Sequence, residues 1–404
     1  MTPQRRRWLI LALIFAAIVL NYVDRQILSI LKPDLKVHFG FDDRGYALLV
    51  NVFTVGYAAM YPVAGWLVDR FGARSVMLLG ILGWSTACIG AGLTRTLGQF
   101  AFCRGVLGLT EPTAFPSQLK VVTTWFPGRL RATANSASVA GGTFGAVIAP
   151  PLVAWLALSF NWQVAFVVPG VLGLVVALLW ATFYRDPPPE IMAEATATAG
   201  GDRTPFTWPQ LWGTRTLWGI LLIRFISDPV WYFCLFWLPG YLRENSGLTL
   251  KQVGLVGWIP FLAADLGGIA SAAWSDRMVA RGAAPLLARK RMLTAVAIFA
   301  PLCVLTPHLP HPAATLVIFS LVAAACLSWL FSLSVVIAET FPTRNVASVL
   351  GIAGGCGAAG AVVFNTYVGE MMTNFGPARV FAAMALLHPI AAVVLWTMTK
   401  KETP

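Results

Sequence analysis

The segment Asn21-Tyr22-Val23-Asp24-Arg25 sets an acid beside a base inside an apolar stretch, between Trp8 to Leu20 and Ile27 to Leu31. An ionised side chain at membrane depth costs about 3 kcal/mol or more unless it is paired or wetted, so such residues mark substrate or ion pathways. Arg104 and Glu111 recur in a later apolar stretch, seven positions apart, which puts them two turns apart on one helical face with Gly108 between them. Arg224 and Asp228 are one turn apart and can pair on their own helix, a reading that makes them glue between helices. Asp265 is a further acid within an apolar stretch. A guanidinium holds a carboxylate through two parallel hydrogen bonds and cannot lose its proton, so Arg25 or Arg104 suits a fixed anion anchor. A buried carboxyl gains proton affinity, and a nearby guanidinium lowers it again, so Asp24 and Glu111 are candidate proton carriers. Asn21, Asp24, Arg25 and Leu28 share a broad face of one helix, and Tyr57 and Tyr61 share a face of the next.

The elements that must position these groups are transmembrane helices. Of 404 residues, 57% are hydrophobic and 11% charged, against roughly 25% charged in a typical soluble domain. Apolar windows of the length that crosses about 30 Å of hydrocarbon recur throughout. They fall near 8–31, 45–68, 75–94, 98–122, 132–158 and 162–184, then near 215–242, 250–273, 290–310, 312–338, 345–369 and 377–399. The chain therefore reads as an all-α membrane protein of twelve helices.

The net charge of +12 follows topology and not a nucleic-acid surface. Arg5, Arg6, Arg7, Arg70, Arg74, Arg129, Arg131, Arg185, Arg203, Arg215, Arg277, Arg281, Arg289, Lys290, Arg291, Arg344, Lys400 and Lys401 fall on one side, against Lys32, Lys36, Arg44, Arg95, Arg243, Lys251 and Arg379 on the other. The positive-inside rule then puts both termini in the cytoplasm. The basic start and first apolar run read as a retained first helix and not a cleaved signal. The six cysteines lie within spans without metal-like spacing, and read as core residues. No metal site, cofactor, nucleotide-binding glycine loop or nucleophile-base constellation is expected.

A Pro-rich and Ala/Thr/Gly-rich stretch divides the chain into a six-helix bundle over 1–184, a cytoplasmic linker over 185–214 and a second bundle over 215–404. Gly65-Trp66-Leu67-Val68-Asp69-Arg70-Phe71-Gly72-Ala73-Arg74 aligns without gaps on the segment from Ala272 to Arg281, with Asp, Arg, Ala and Arg in register. Phe126-Pro127-Gly128-Arg129 is echoed by Phe341-Pro342-Thr343-Arg344. This doubled loop resembles the signature loop of the major facilitator superfamily, whose fold is two pseudo-symmetric six-helix bundles that alternate access to a central site. The resemblance implies that Asp69, Arg70 and Arg74, with Asp276, Arg277 and Arg281, form a cytoplasmic latch.

A narrower resemblance follows from Asn21-Tyr22-x-Asp24-Arg25, Tyr57 and Arg104-x-x-Leu107-Gly108-x-x-Glu111-x-x-x-Phe115-Pro116, which are similar to the anion:cation symporter family. Segments such as Trp125-Phe126-Pro127 and Asp228 to Pro239 resemble hexuronate transporters. The resemblance implies proton coupling at Asp24 and Glu111 and substrate binding or charge pairing at Arg25, Tyr57 and Arg104. Ala114, Val139, Thr143 and Cys326-Leu327 depart from the hexuronate pattern by removing hydrogen-bonding groups, which points to a less hydroxylated ligand. Asn21, Tyr61, Thr143, Trp231, Phe331 and Asn365 complete the candidate substrate contacts. The expected activity is proton-coupled symport, at a bacterial inner membrane, of a sugar acid such as a hexuronate or aldonate, or of a smaller monocarboxylate. The expected partners are the organic anion, protons and the lipid bilayer, with the chain acting as a monomer. A proton-coupled drug exporter and a transporter-like sensor are the rival readings.

Overall fold

The computed structural model describes residues 3–189, 191–192, 207–309 and 311–399, so much of the expected linker, residues 193–206, lies outside the described residues. The described residues are helical almost throughout and contain no strand. In chain order the helices are α1 Pro3–Ile30, α2 Lys32–Phe39, α3 Asp43–Leu93, α4 Leu97–Thr110, α5 Ala114–Trp125, α6 Gly128–Ser159 and α7 Trp162–Phe183. There follow α8 Trp208–Gly213, α9 Arg215–Phe236, α10 Leu238–Glu244, α11 Leu250–Val256, α12 Ile259–Ala280, α13 Pro285–Ala297, α14 Pro312–Thr340, α15 Thr343–Phe375 and α16 Pro377–Met398.

Among the described residues, ten helical stretches are long and apolar enough to cross a membrane. One of them, α3, is two spans joined at Gly72, whose φ of 79° and ψ of 152° break the helix inside the loop motif. Only glycine takes that backbone at no steric cost. Another span is divided into α4 and α5 by a 3-10 turn, Glu111–Thr113, so neither piece alone reaches crossing length. With those two counted, the twelve spans of the sequence reading are all present. Pro112 causes the second break, because its ring clashes with the carbonyl four residues back and it has no N–H to donate. Thr110 and Thr113 hydroxyls bond back to the Val106 and Thr110 carbonyls at 2.9 and 2.7 Å, covering backbone at the break.

Two compact units divide the chain: Met1–Gly40, Val52–Gly201 and Leu250–Trp258 in one, Phe41–Asn51, Asp202–Thr249 and Ile259–Pro404 in the other. In the first, α1 lies along α6, and a Cβ on Gly145 would meet the Val19 carbonyl and Tyr22. Small residues at such contacts let helix backbones close on one another where lipid offers no hydrophobic drive. Gly108 on α4 similarly faces the Phe53 backbone of α3. In the second unit α9 lies along α15, with Gly357 against the Asp228 carboxylate and Gly360 against the Phe225 carbonyl. Ile223, Met292, Leu293, Trp329, Leu333 and Leu395 fill its core.

Gly108→Ala forces a methyl into backbone that cannot yield, an overpacking expected to cost about 1–3 kcal/mol and to lower the thermal midpoint of the purified protein. Gly98→Ala, on the same helix with open space around its Cβ, is the control and leaves the midpoint within the roughly 0.5 kcal/mol typical of surface changes. Equal midpoints for the two variants would contradict the packing described.

Candidate functional site

The charged groups of α1 and α4 converge. Arg25 Nε donates to Glu111 Oε2 at 2.5 Å, with the two side chains 9% and 0% exposed. The Arg25 guanidinium also lies 4.7 Å from the Tyr57 ring centre, 5.1 Å from Tyr22 and 5.7 Å from Phe53. Arg104, 1% exposed, places its guanidinium 4.7 Å from the centre of the same Phe53 ring. Such cation–π contacts favour a desolvated guanidinium without neutralising it. Phe53 thus has both guanidinium groups within 6 Å of its ring centre, and Gly108 lets its helix approach near enough for this.

Asp24, 1% exposed, turns from its sequence neighbour and accepts from the Cys88 thiol on α3 at 3.3 Å. The adjacent acid and base of the sequence are therefore not each other's partners. Successive residues of a helix point about 100° apart, which separates them. Four formal charges, two acids and two bases, are buried here with no net charge. Several polar atoms are left over: Arg25 Nη2, Glu111 Oε1 and both amide atoms of the fully buried Asn21 have no hydrogen-bond partner among the described residues. Buried polar groups of this kind call for a specific explanation.

The Tyr61 ring lies 5.7 Å from that of Tyr57, tilted by 32°. Thr143 is half-buried on α6. The remaining candidates lie in the other compact unit, in three separate settings. Trp231 packs edge-on to Phe261 at 6.2 Å, the Phe331 ring lies against Gly268, and buried Asn365 accepts from Trp237 Nε1 at 3.1 Å while its Nδ2 has no partner among the described residues. Arg224 and Asp228 pair at 3.2 Å on α9, the intrahelical bridge their spacing implied.

A further polar group, without charge, lies on α5. Gln118, buried on α5, donates to Asn135 Oδ1 at 3.0 Å and to Ser138 Oγ at 2.7 Å. It stands seven residues after Glu111, as Glu111 stands seven after Arg104, so the series was open to view. A groove of about 520 Å³ lined by Gly90, Leu93, Thr94, Gly98, Gln99, Phe102 and Cys103 carries no cation or carboxylate and takes no part in this cluster.

The family profile described as Major Facilitator Superfamily matches residues 14–289. The chain belongs to that superfamily. It is 28% identical over 412 residues to the hexuronate transporter of Escherichia coli strain K12, covering 98% of this chain and 94% of the relative. It is 32% identical over 275 residues to the galacturonate transporter of Dickeya chrysanthemi, covering 65% and 79%. Among solved structures, the D-xylose-proton symporter superposes with a TM-score of 0.79 at 15% identity, covering 97% of this chain and 98% of that one. A bacterial homologue of the human lysosomal transporter Spinster gives 0.79 at 18% identity, covering 100% and 98%. The chain is a multi-pass membrane transporter and not an enzyme.

The aspartates of the doubled loop each pair with a basic residue of a neighbouring helix. Asp69 pairs with Lys120 at 2.9 Å, and no ion pair among the described residues joins it to Arg70 or Arg74. Arg74 instead donates to the Ala181 carbonyl at 3.2 Å. Asp276 pairs with Arg289 at 2.7 Å, and Arg289 reaches Glu339 at 3.2 Å and bonds Ser275. Arg70, Arg277 and Arg281 are exposed. Long side chains from neighbouring helices reach the aspartates where loop arginines, pointing outward, do not. Lys120, Arg289 and Glu339 were not singled out because sequence spacing does not show which helix ends meet.

These two bridges differ in what they hold. Lys120 and Asp69 are 45% and 73% exposed, and such pairs contribute about 0–1 kcal/mol. Arg289 is 9% exposed and satisfies three groups, so its loss leaves a part-buried carboxylate and hydroxyl without donors. Arg289→Met is expected to lower stability by about 2 kcal/mol, and Lys120→Met by less than about 0.5, read from thermal unfolding in detergent. The reverse order would contradict these assignments.

Proposed function

We propose that this superfamily member is a proton-coupled symporter of an organic anion, acting at the bacterial inner membrane with both termini in the cytoplasm. Its substrate is a sugar acid such as a hexuronate or aldonate, or a smaller monocarboxylate. The Arg25–Glu111 ion pair carries the reading. Its four-charge surroundings are already neutral, so a substrate carboxylate entering them needs one added positive charge. A proton on Glu111 supplies it. Protonation removes the charge that holds Arg25 Nε, and the guanidinium is then available to a substrate carboxylate through parallel hydrogen bonds. Arg25 Nη2, without a hydrogen-bond partner among the described residues, is ready for the second of these bonds.

Tyr57 walls the guanidinium with Tyr61 beside it, and the Asn21 amide, which both donates and accepts, suits a hydroxyl. Asp24 offers a second proton site. The names of the relatives, among them transporters of hexuronate and galacturonate, support the choice of sugar acids. The energetics support symport: at 100 mV, inside negative, an entering monoanion is opposed by about 2.3 kcal/mol, which one accompanying proton cancels. A second proton would bring the membrane potential in as a driving force.

In proteoliposomes, D-galacturonate or D-gluconate is expected to accumulate under an inward proton gradient. Glu111→Gln is expected to reduce accumulation to passive equilibration, and Arg25→Lys to raise KM by about tenfold or more, since a point charge cannot replace a planar fork. Uptake indifferent to the proton gradient, or normal accumulation by Glu111→Gln, would contradict the mechanism.

A further inference from the structure

Asp24 is held by a thiol where Glu111 is held by a guanidinium. Cys88 Sγ is 3.3 Å from Asp24 Oδ1 and 3.2 Å from the Phe166 carbonyl oxygen of α7. Both separations suit a sulfur hydrogen bond, yet a thiol has one proton and serves one acceptor at a time. Cys88, Asp24 and Phe166 are 1%, 1% and 2% exposed, so bulk water is not there to take the thiol's place. The ionised carboxylate is the stronger acceptor of the two, and a protonated carboxyl is the weaker.

We propose that Cys88 is a positioning residue for the proton step: its S–H donates to Asp24 while that carboxylate is ionised and turns to the Phe166 carbonyl when Asp24 carries a proton. The proposal rests on Asp24 being a proton carrier. The turn is a rotation of the thiol hydrogen about the Cβ–Sγ bond with no covalent change. Because S–H is a weak donor, leaving either acceptor costs less than it would for a hydroxyl, and the thiol can follow the charge on Asp24. It also links that charge to α7. The charged groups acting on Asp24 are Glu111 from the 3-10 turn after α4, Arg104 from α4 and Arg25 from its own helix; α7 carries no ionisable side chain, and α6 only Arg129 and Arg131 in its first turn.

The test uses the full chain in proteoliposomes, with Cys88→Ala removing the donor and Cys88→Ser supplying a stronger one. The readouts are the pH of half-maximal proton-driven D-galacturonate uptake and the KM at saturating proton concentration, with thermal unfolding measured in parallel. The proposal expects the midpoint of the pH profile to move up by about half a unit or more in Cys88→Ala, down in Cys88→Ser, and KM to stay within about twofold in both. It also expects the S–H infrared band lost in Cys88→Ser to shift with pH in the wild type and not in Asp24→Asn. Unmoved midpoints in stable variants, or shifts of one sign that track lost stability, would overturn it as mere packing. If a variant fails to fold, an S–H band insensitive to pH in the wild type overturns the proposal by itself. A wild type with pH-independent uptake would overturn the proton-coupled reading and this proposal together, whereas a pH-dependent wild type with unmoved variants overturns this proposal alone.

Discussion

Charge neutrality in a buried cluster is the constraint on which this molecule turns. Removing one member of a buried, hydrogen-bonded ion pair strands the other at a cost of several kcal/mol, about 3–5 in soluble proteins. Arg25 and Glu111 therefore hold each other until something of equal charge replaces one of them. An incoming carboxylate can replace Glu111 on the guanidinium only if the displaced group is neutralised. In the proposed symport, the constraint that holds the cluster together would also tie anion binding to proton binding. No separate coupling device is needed in this account, only the exchange of partners at one guanidinium.

The backbone around the cluster places the groups that the proposed exchange requires. Pro112 breaks the fourth span immediately after Glu111, so the carboxylate projects from a helix end and not from a rigid mid-helix position. Short 3-10 segments within helices often mark functional hinges. Gly108, one turn earlier, draws α3 close enough for Phe53 to contact both arginines. Glycines on α6 seat α1, which carries Asn21, Asp24 and Arg25. The packing of small residues and the placement of charge are therefore one arrangement. A methyl group added at Gly108 disturbs both.

Much of this was legible in the sequence because membrane crossing imposes simple rules. Apolar runs of fixed length gave the spans, and ionised residues inside them were conspicuous by their cost. The doubled Asp-Arg loop gave the family. Partner choice was less legible, for reasons of geometry. Asp24 and Arg25 are adjacent in sequence but diverge in direction, and the partners of both come from helices far along the chain, Cys88 on α3 and Glu111 beside α4. Cys88 is the core residue its type implies, and its second role depends on where two helices cross. Lys120 and Arg289 take the loop aspartates for the same reason. Gln118 was different: its seven-residue spacing from Glu111 was visible and had simply no charge to draw notice.

The central claim is that one guanidinium exchanges a protein carboxylate for a substrate carboxylate, with a proton making up the balance. Calorimetric titration of the purified protein with D-galacturonate, in buffers of different ionisation enthalpy at one pH, counts the protons bound with the ligand. The account predicts an observed enthalpy that varies with the buffer in proportion to about one proton taken up per anion bound, and a loss of that dependence in Glu111→Gln. Binding whose enthalpy is the same in every buffer would contradict it.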